Sequence, residues 1–284
     1  MTGPALDFVT VDGLRIAVWQ WAGAGPPLLF AHATSFHARC WDQVVREFPG
    51  RRAIALDFRG HGRSDKPAPP YRWPVFARDL AGVAEQLELR GAIGVGHSMG
   101  GHSLVEAAAM RPEAFAALLL VDPTIFERDY YGQAAFHDAS FILRRRNRWK
   151  SWEEMYERFR GRAPFDAWRP EVLRDYCEYG VLPRDGEYVL ACPPEVEASI
   201  YAASNAAEAN LYPRLAGIGQ PVTVLRAARP WNLETFDLAA SPTAPSLAGH
   251  FPRGRDVPLE GRNHFIPMET PELVAREIAR LLEG

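Results

Sequence analysis

Two segments dense in apolar and strand-forming residues, Leu6 to Val11 and Leu14 to Trp21, flank Asp12-Gly13, a pattern that predicts a hairpin at the start of the chain. Short apolar runs follow at Pro27 to Ala31 and Arg52 to Asp57, separated by a helix-compatible stretch from Trp41 to Phe48. Within Tyr71 to Leu89, apolar residues fall at helical spacing (Phe76, Leu80, Val83, Leu87). Ala92 to Gly96 then reads as a strand feeding directly into Ser98 and a helix from Gly100 to Met110, and Leu118 to Val121 as the next buried strand. Strands and helices in alternation imply a parallel sheet.

After Asp122 this rhythm breaks. Residues 124–215 are rich in Arg, Trp, Tyr and Pro, read as mostly helical and offer no obvious strand. We therefore expect an inserted cap at 124–215 and a core formed by 1–123 and 216–284. The sheet resumes at Pro221 to Arg226, passes through a Pro- and Ala-rich stretch and returns near Arg255 to Leu259. A last helix is expected from Pro271 to Leu282, with Thr270 as N-cap, Pro271 at its first position and Glu272 adding favourable charge. One α/β domain with an insertion suits a chain of 284 residues.

The candidate chemistry sits in this frame. Gly96-His97-Ser98-Met99-Gly100 matches G-x-S-x-G between a predicted strand and a predicted helix. A turn from strand to helix within a few residues strains the serine backbone and leaves room only for glycine-sized neighbours. His32-Ala33-Thr34, Asp57-Phe58-Arg59-Gly60-His61-Gly62-Arg63-Ser64 and Asn263-His264-Phe265 occur around it in order. With these landmarks the chain resembles an α/β-hydrolase over nearly its whole length outside the cap: a mostly parallel central sheet flanked by helices with an inserted, mainly helical cap. The resemblance implies Ser98 as nucleophile, His264 as general base and the amides of Thr34 and Met99 as an oxyanion hole. Ala33 departs from the glycine common at that place. His32, His61 and His97 are expected to pack and to form hydrogen bonds.

The acid departs from the commoner pattern. After Pro221 to Arg226 the chain reads Ala227-Ala228-Arg229-Pro230-Trp231, with proline where a carboxylate often stands. Asp122, directly after Leu118 to Val121, suits the second arrangement of this fold and is assigned the orienting role. Glu234 and Asp237 are the alternatives.

Composition narrows the substrate. With 32 Lys+Arg against 35 Asp+Glu the net charge is −3, no field for nucleic acid or an anionic membrane. Residues 1–11 lack a basic region followed by an apolar run, and nothing approaches the roughly 20 apolar residues of a membrane span. A cytoplasmic protein, monomeric or homodimeric, acting on a small molecule is expected. Cys40, Cys177 and Cys192 have unrelated spacings and read as buried free thiols. No histidine pair has zinc-helix spacing, so no metal and no cofactor is expected. Among the cap aromatics, Trp149, Trp152 and Tyr156 are candidates for substrate contact. The basic run Arg144 to Arg146, with Arg148 and Lys150, reads as a solvated helix face.

The reaction expected is cleavage of a carboxylic ester or lactone through an acyl-enzyme. Thioesters and carbon-carbon bonds suit the same serine constellation. A non-hydrolytic relative, whether lyase, cofactor-free oxygenase or binding module, is the rival from another class. A serine at the elbow, in place of aspartate, argues against haloalkane and epoxide chemistry.

Overall fold

The computed structural model describes residues 3–133, 140–230 and 237–283. The opening hairpin forms as expected: β1 (Ala5–Val11) and β2 (Leu14–Trp21) pair antiparallel across Asp12-Gly13. Both turn residues have positive φ, 50° and 76°, as a two-residue hairpin loop of type I′ requires. There follow β3 (Ala24–Ala31), the short α1 (Asp42–Val45), β4 (Arg51–Leu56), α2 (Pro74–Gln86), β5 (Ala92–His97), α3 (Met99–Met110) and β6 (Phe115–Val121).

The segment after β6 contains α4 (Ser140–Leu143), β7 (Arg148–Trp149), α5 (Trp152–Phe159), α6 (Pro170–Tyr179), β8 (Val181–Arg184), β9 (Glu187–Leu190), α7 (Pro194–Ala202) and α8 (Tyr212–Leu215). The chain closes with β10 (Val222–Ala227), β11 (Gly254–Leu259), α9 (Ile266–Glu269) and α10 (Pro271–Glu283).

Eight strands make one sheet in the order β1-β2-β4-β3-β5-β6-β10-β11. From β4 to β11 every pairing is parallel, and only the first two strands run against their neighbours. Strands buried on both faces read as continuous apolar runs, which is why Leu118 to Val121 was legible. One face packs against α2 and α3 through Phe76, Leu80, Leu104 and Val105. The other packs against α1 and α10 through Val44, Val274 and Ile278. Strand order reverses between β3 and β5, and the site described below lies at the carboxyl ends of the central strands, where open α/β sheets place their crevices.

β6 and β10 are adjacent and parallel, so everything between them is an excursion from the sheet. That excursion differs from the expected mostly helical segment in holding strands: β7, β9 and β8 form a small antiparallel sheet. Its strands have two to four residues, one holds Pro183, and the turn is another Asp-Gly pair, Asp185-Gly186, with φ of 52° and 81°. Strands so short carry no periodicity to read. The basic run also differs. It follows α4 as a connection into β7, and so forms no helix face. A third apolar cluster, including Phe36, Trp149, Trp168, Tyr176 and Phe265, joins this segment to the loops above the sheet. The three cysteines are buried and free, and no described helix is long and apolar enough to cross a membrane.

Candidate active site

β5 delivers the chain into Ser98, whose backbone sits at φ 55°, ψ −120° immediately before α3. This is a conformation that side-chain-bearing residues rarely adopt and that surrounding structure must enforce. The enforcement is steric. A Cβ on Gly96 would lie 2.5 Å from the carbonyl oxygen of Gly100, and one on Gly100 would lie 2.1 Å from that of Ala31. Both glycines therefore let the helix cross close behind the strand, lifting the serine above the sheet.

His264 lies in the loop between β11 and α9. Its Nε2 is 3.0 Å from Ser98 Oγ, and its Nδ1 donates to Asp122 Oδ2 at 2.6 Å. That assigns the tautomer: with the proton on Nδ1 facing a carboxylate, Nε2 is the acceptor for the serine hydroxyl. The ring is steadied from beneath by His97, which donates from Nε2 to the His264 carbonyl at 2.8 Å. Asp122 follows β6 at φ 42° and is fully buried. Its second oxygen accepts the amide of Ala227 at 3.0 Å and the hydroxyl of Ser241 at 2.6 Å, while the Thr243 hydroxyl, 3.3 Å away, donates at 2.8 Å to the Pro123 carbonyl beside it. Two donors on Oδ1 fix the carboxylate plane and leave Oδ2 for the imidazole.

The structure thus brings together Ser98, His264 and Asp122. The loop after β10 supplies Asp122 with donors, where the commoner pattern would supply a carboxylate. Asp237 borders the same small cavity as Ser98, but its carboxylate is taken up by Arg229 and by the amide of Ala239 and forms no bond to His264. Glu234 lies outside the described residues.

One neighbour was not anticipated. Thr124 Oγ1 is 3.0 Å from Ser98 Oγ, and the Thr124 amide donates to the Ser98 carbonyl at 3.1 Å. Each hydroxyl has one proton, so when Ser98 points its own at His264, Thr124 donates to Ser98. Position alone hinted at this residue, two places beyond Asp122 on the same turn.

Thr34 and Met99 face each other across the serine. The Thr34 hydroxyl contacts Met99 Sδ at 3.5 Å, and Met99 opens α3, where helix amides are free of intrahelical partners. The Thr34 loop is held by the two expected histidines. His32 donates from Nδ1 to the Ala33 carbonyl at 2.7 Å and accepts the Phe58 amide at Nε2. His61 accepts the Ser35 amide at 3.1 Å. Burial pushes His32 down to about 4 despite the Asp57 carboxylate nearby, and pushes His61 well below the usual range. Both remain neutral, and each offers one donor and one acceptor. Asp57 ties the next loop with bonds from the amides of Ala38 and Arg63 and the Trp19 indole.

Ser98, His264, Thr34 and Thr124 open on a small cavity of about 50 Å³. Tyr201 and Leu238 belong both to its wall and to that of a larger cavity of about 390 Å³ among the residues after β6. Trp149 lines the larger one, together with Phe159 and Trp168. Trp152 and Tyr156 are not among the described lining residues of either: the cavity meets α5 at Arg158 and Phe159, whereas these two pack against the aromatic cluster. Among the described residues no group of three or more His, Cys, Asp or Glu is placed to hold a metal ion.

The model of the alpha/beta hydrolase family matches residues 28–277. The chain belongs to that family. Over 273 residues this family member is 25% identical to a 2-(acetamidomethylene)succinate hydrolase of Mesorhizobium japonicum, an alignment covering 92% of the chain and 90% of the relative. It is 39% identical to a non-heme chloroperoxidase of Streptomyces lividans over 116 residues, which are 39% of the chain and 42% of that protein. The solved structure of an E-2-(acetamidomethylene)succinate hydrolase superposes with a TM-score of 0.78 at 23% identity, covering 99% of this chain and all of that one.

Proposed function

We propose that this alpha/beta hydrolase cleaves a carboxylic ester or lactone through an acyl-enzyme on Ser98. The observation that carries the reading is the hydrogen-bonded run from Asp122 through His264 to Ser98, ending at a cavity. Ser98 Oγ attacks the substrate carbonyl as its proton passes to His264 Nε2, and Asp122 stabilises the imidazolium that forms. The amides of Met99 and Thr34 receive the oxyanion, the former aided by the positive end of α3. His264 returns its proton to the leaving alcohol; water, activated by the same imidazole, then releases the acid and regenerates the serine. In this reading residues 124–215 form the cap over the site, and Thr124 supports the serine oxygen as it loses its proton.

The test uses a fluorophosphonate probe and intact-mass measurement. One probe adduct per chain, lost in Ser98→Ala, is expected, together with hydrolysis of short-chain 4-nitrophenyl esters that the same substitution abolishes. Folded protein that takes no label and cleaves no ester or lactone would overturn the reading in favour of a non-hydrolytic relative.

A further inference from the structure

We infer that the larger cavity is a subsite for a carboxylate carried on an apolar arm of the substrate, an inference that rests on Ser98 being the nucleophile. The cavity's walls are aromatic (Trp149, Phe159, Phe165, Trp168), yet among the described residues four arginines also line it, Arg145, Arg146, Arg158 and Arg162, against one acidic residue, Glu197. Such a positive excess is local, since the chain as a whole carries −3.

The four arginines are not equivalent. Arg145 is half-buried and held on two sides, donating to Glu197 at 2.7 Å and to the Tyr176 hydroxyl at 2.8 Å. Arg146 pairs with Glu154. Among the described residues neither Arg158 nor Arg162 takes part in an ion pair, and both stand exposed at the cavity's edge. Two guanidiniums without an ion-pair partner, beside aromatic walls, each present a planar set of donors to a carboxylate and attract it from solvent. Because Tyr201 and Leu238 line both cavities, a chain whose carbonyl sits at Ser98 reaches the arginines by passing these two residues. Apolar walls suit a singly charged, weakly hydrated carboxylate better than a phosphate.

The test compares kcat/KM for 4-nitrophenyl monoesters of dicarboxylic acids, adipate to sebacate, with 4-nitrophenyl esters of monocarboxylic acids of equal length. Wild type is set beside Arg158→Gln/Arg162→Gln protein whose fold is checked by circular dichroism. Arg145 is left intact because removing it would strand Glu197 as a buried charge. At one chain length the acidic ester should be preferred by about tenfold or more, less so at high salt, and the double variant should bring the ratio to within about threefold of unity. Equal rates in the two series, or a preference surviving both substitutions, overturns the subsite. Calorimetric titration of suberic acid monoamide and of neutral octanamide into Ser98→Ala protein reads the subsite without turnover. Carboxylate-dependent binding there supports the subsite even when neither ester series is cleaved, a result that counts against the hydrolase reading alone. No carboxylate-dependent binding, or tighter binding of the phosphonate of equal length, overturns the assignment.

Discussion

Ser98 Oγ stands between two polar neighbours at equal distance, His264 Nε2 and Thr124 Oγ1, each 3.0 Å away. In the proposed mechanism their roles differ, because only the imidazole can accept and later return a proton, whereas the threonine hydroxyl would stabilise the oxygen left behind. A hydrogen bond to a charged oxygen is worth about 1.5–3 kcal/mol, so Thr124→Val should lower kcat roughly tenfold to a hundredfold with KM little changed, and Thr124→Ser should restore most of it. A fall in kcat/KM through KM alone would make Thr124 a substrate contact instead. Asp122→Asn presents the wrong hydrogen-bonding partner to Nδ1 and should cost about 10⁴-fold in kcat, read against a Ser241→Ala variant that removes one donor from Oδ1 and loses about tenfold. Near-full turnover in Asp122→Asn would end its role as the orienting acid. Ser98 and His264 were legible because motif and chain order single them out, and Asp122 because Pro230 occupies the commoner position. Thr124, Ser241 and Thr243 were not: neutral hydroxyls leave no mark in sequence, and the latter two reach Asp122 from about 120 residues away.

Between elements the same distinction holds. The sheet was readable because its strands are short apolar runs and its helices bury one stripe, whereas β7 exists only through pairing with β9 about 40 residues on, and the β8–β9 hairpin left only its Asp185-Gly186 turn as a signal within a segment that otherwise reads as mostly helical. The packing of α6 on α1 is another contact of that kind, and it places a carboxylate in an unfavourable setting. Asp175 accepts a hydrogen bond from Gln43 at 2.6 Å, but burial, with the Asp42 carboxylate adding to it, pushes its pKa up to about 6. The unfolded chain's aspartate titrates near 3.9, so between roughly pH 4 and 6 the folded state holds a proton that the unfolded state has lost. Stability from this group is therefore lost as pH rises through that window. Asp175→Asn keeps an oxygen for Gln43 and removes the charge. Urea denaturation should show the variant more stable than wild type at pH 7.5 by on the order of 2 kcal/mol, with the gain shrinking towards pH 4. A difference independent of pH would mean that the carboxylate pays no burial penalty at this interface.

At the scale of the whole molecule a second set of groups carries the opposite sign, since five histidines are buried in neutral form around the site: His32, His37, His61, His97 and His102. Desolvation takes His32, His37 and His102 down to about 4 and the other two well below the usual range. An unfolded chain protonates each near pH 6.5, so on acidification the unfolded state gains protons that the native state refuses. For each such group stability falls by about 1.4 kcal/mol per pH unit as pH drops below roughly 6.5. Asp175 acts the other way, as do Asp42, Asp79, Glu106 and Glu269, whose carboxyls burial also pushes up, so part of the loss is offset at the acid end. The urea midpoint should accordingly drop steeply below pH 6.5. His102 offers the cleanest check, since it lies on the helix behind the elbow, donates from Nε2 to the Ala209 carbonyl at 2.7 Å, packs edge-on against Trp73, and has no partner for Nδ1 among the described residues. His102→Gln retains a donor for Ala209 but takes up no proton on unfolding, so it should flatten the pH dependence by about one proton's worth, near 1.4 kcal/mol per unit around pH 5. An unchanged slope would show that this imidazole is already protonated in the folded protein, and the neutral scaffold inferred for the Ser98 elbow would then need a counter-charge.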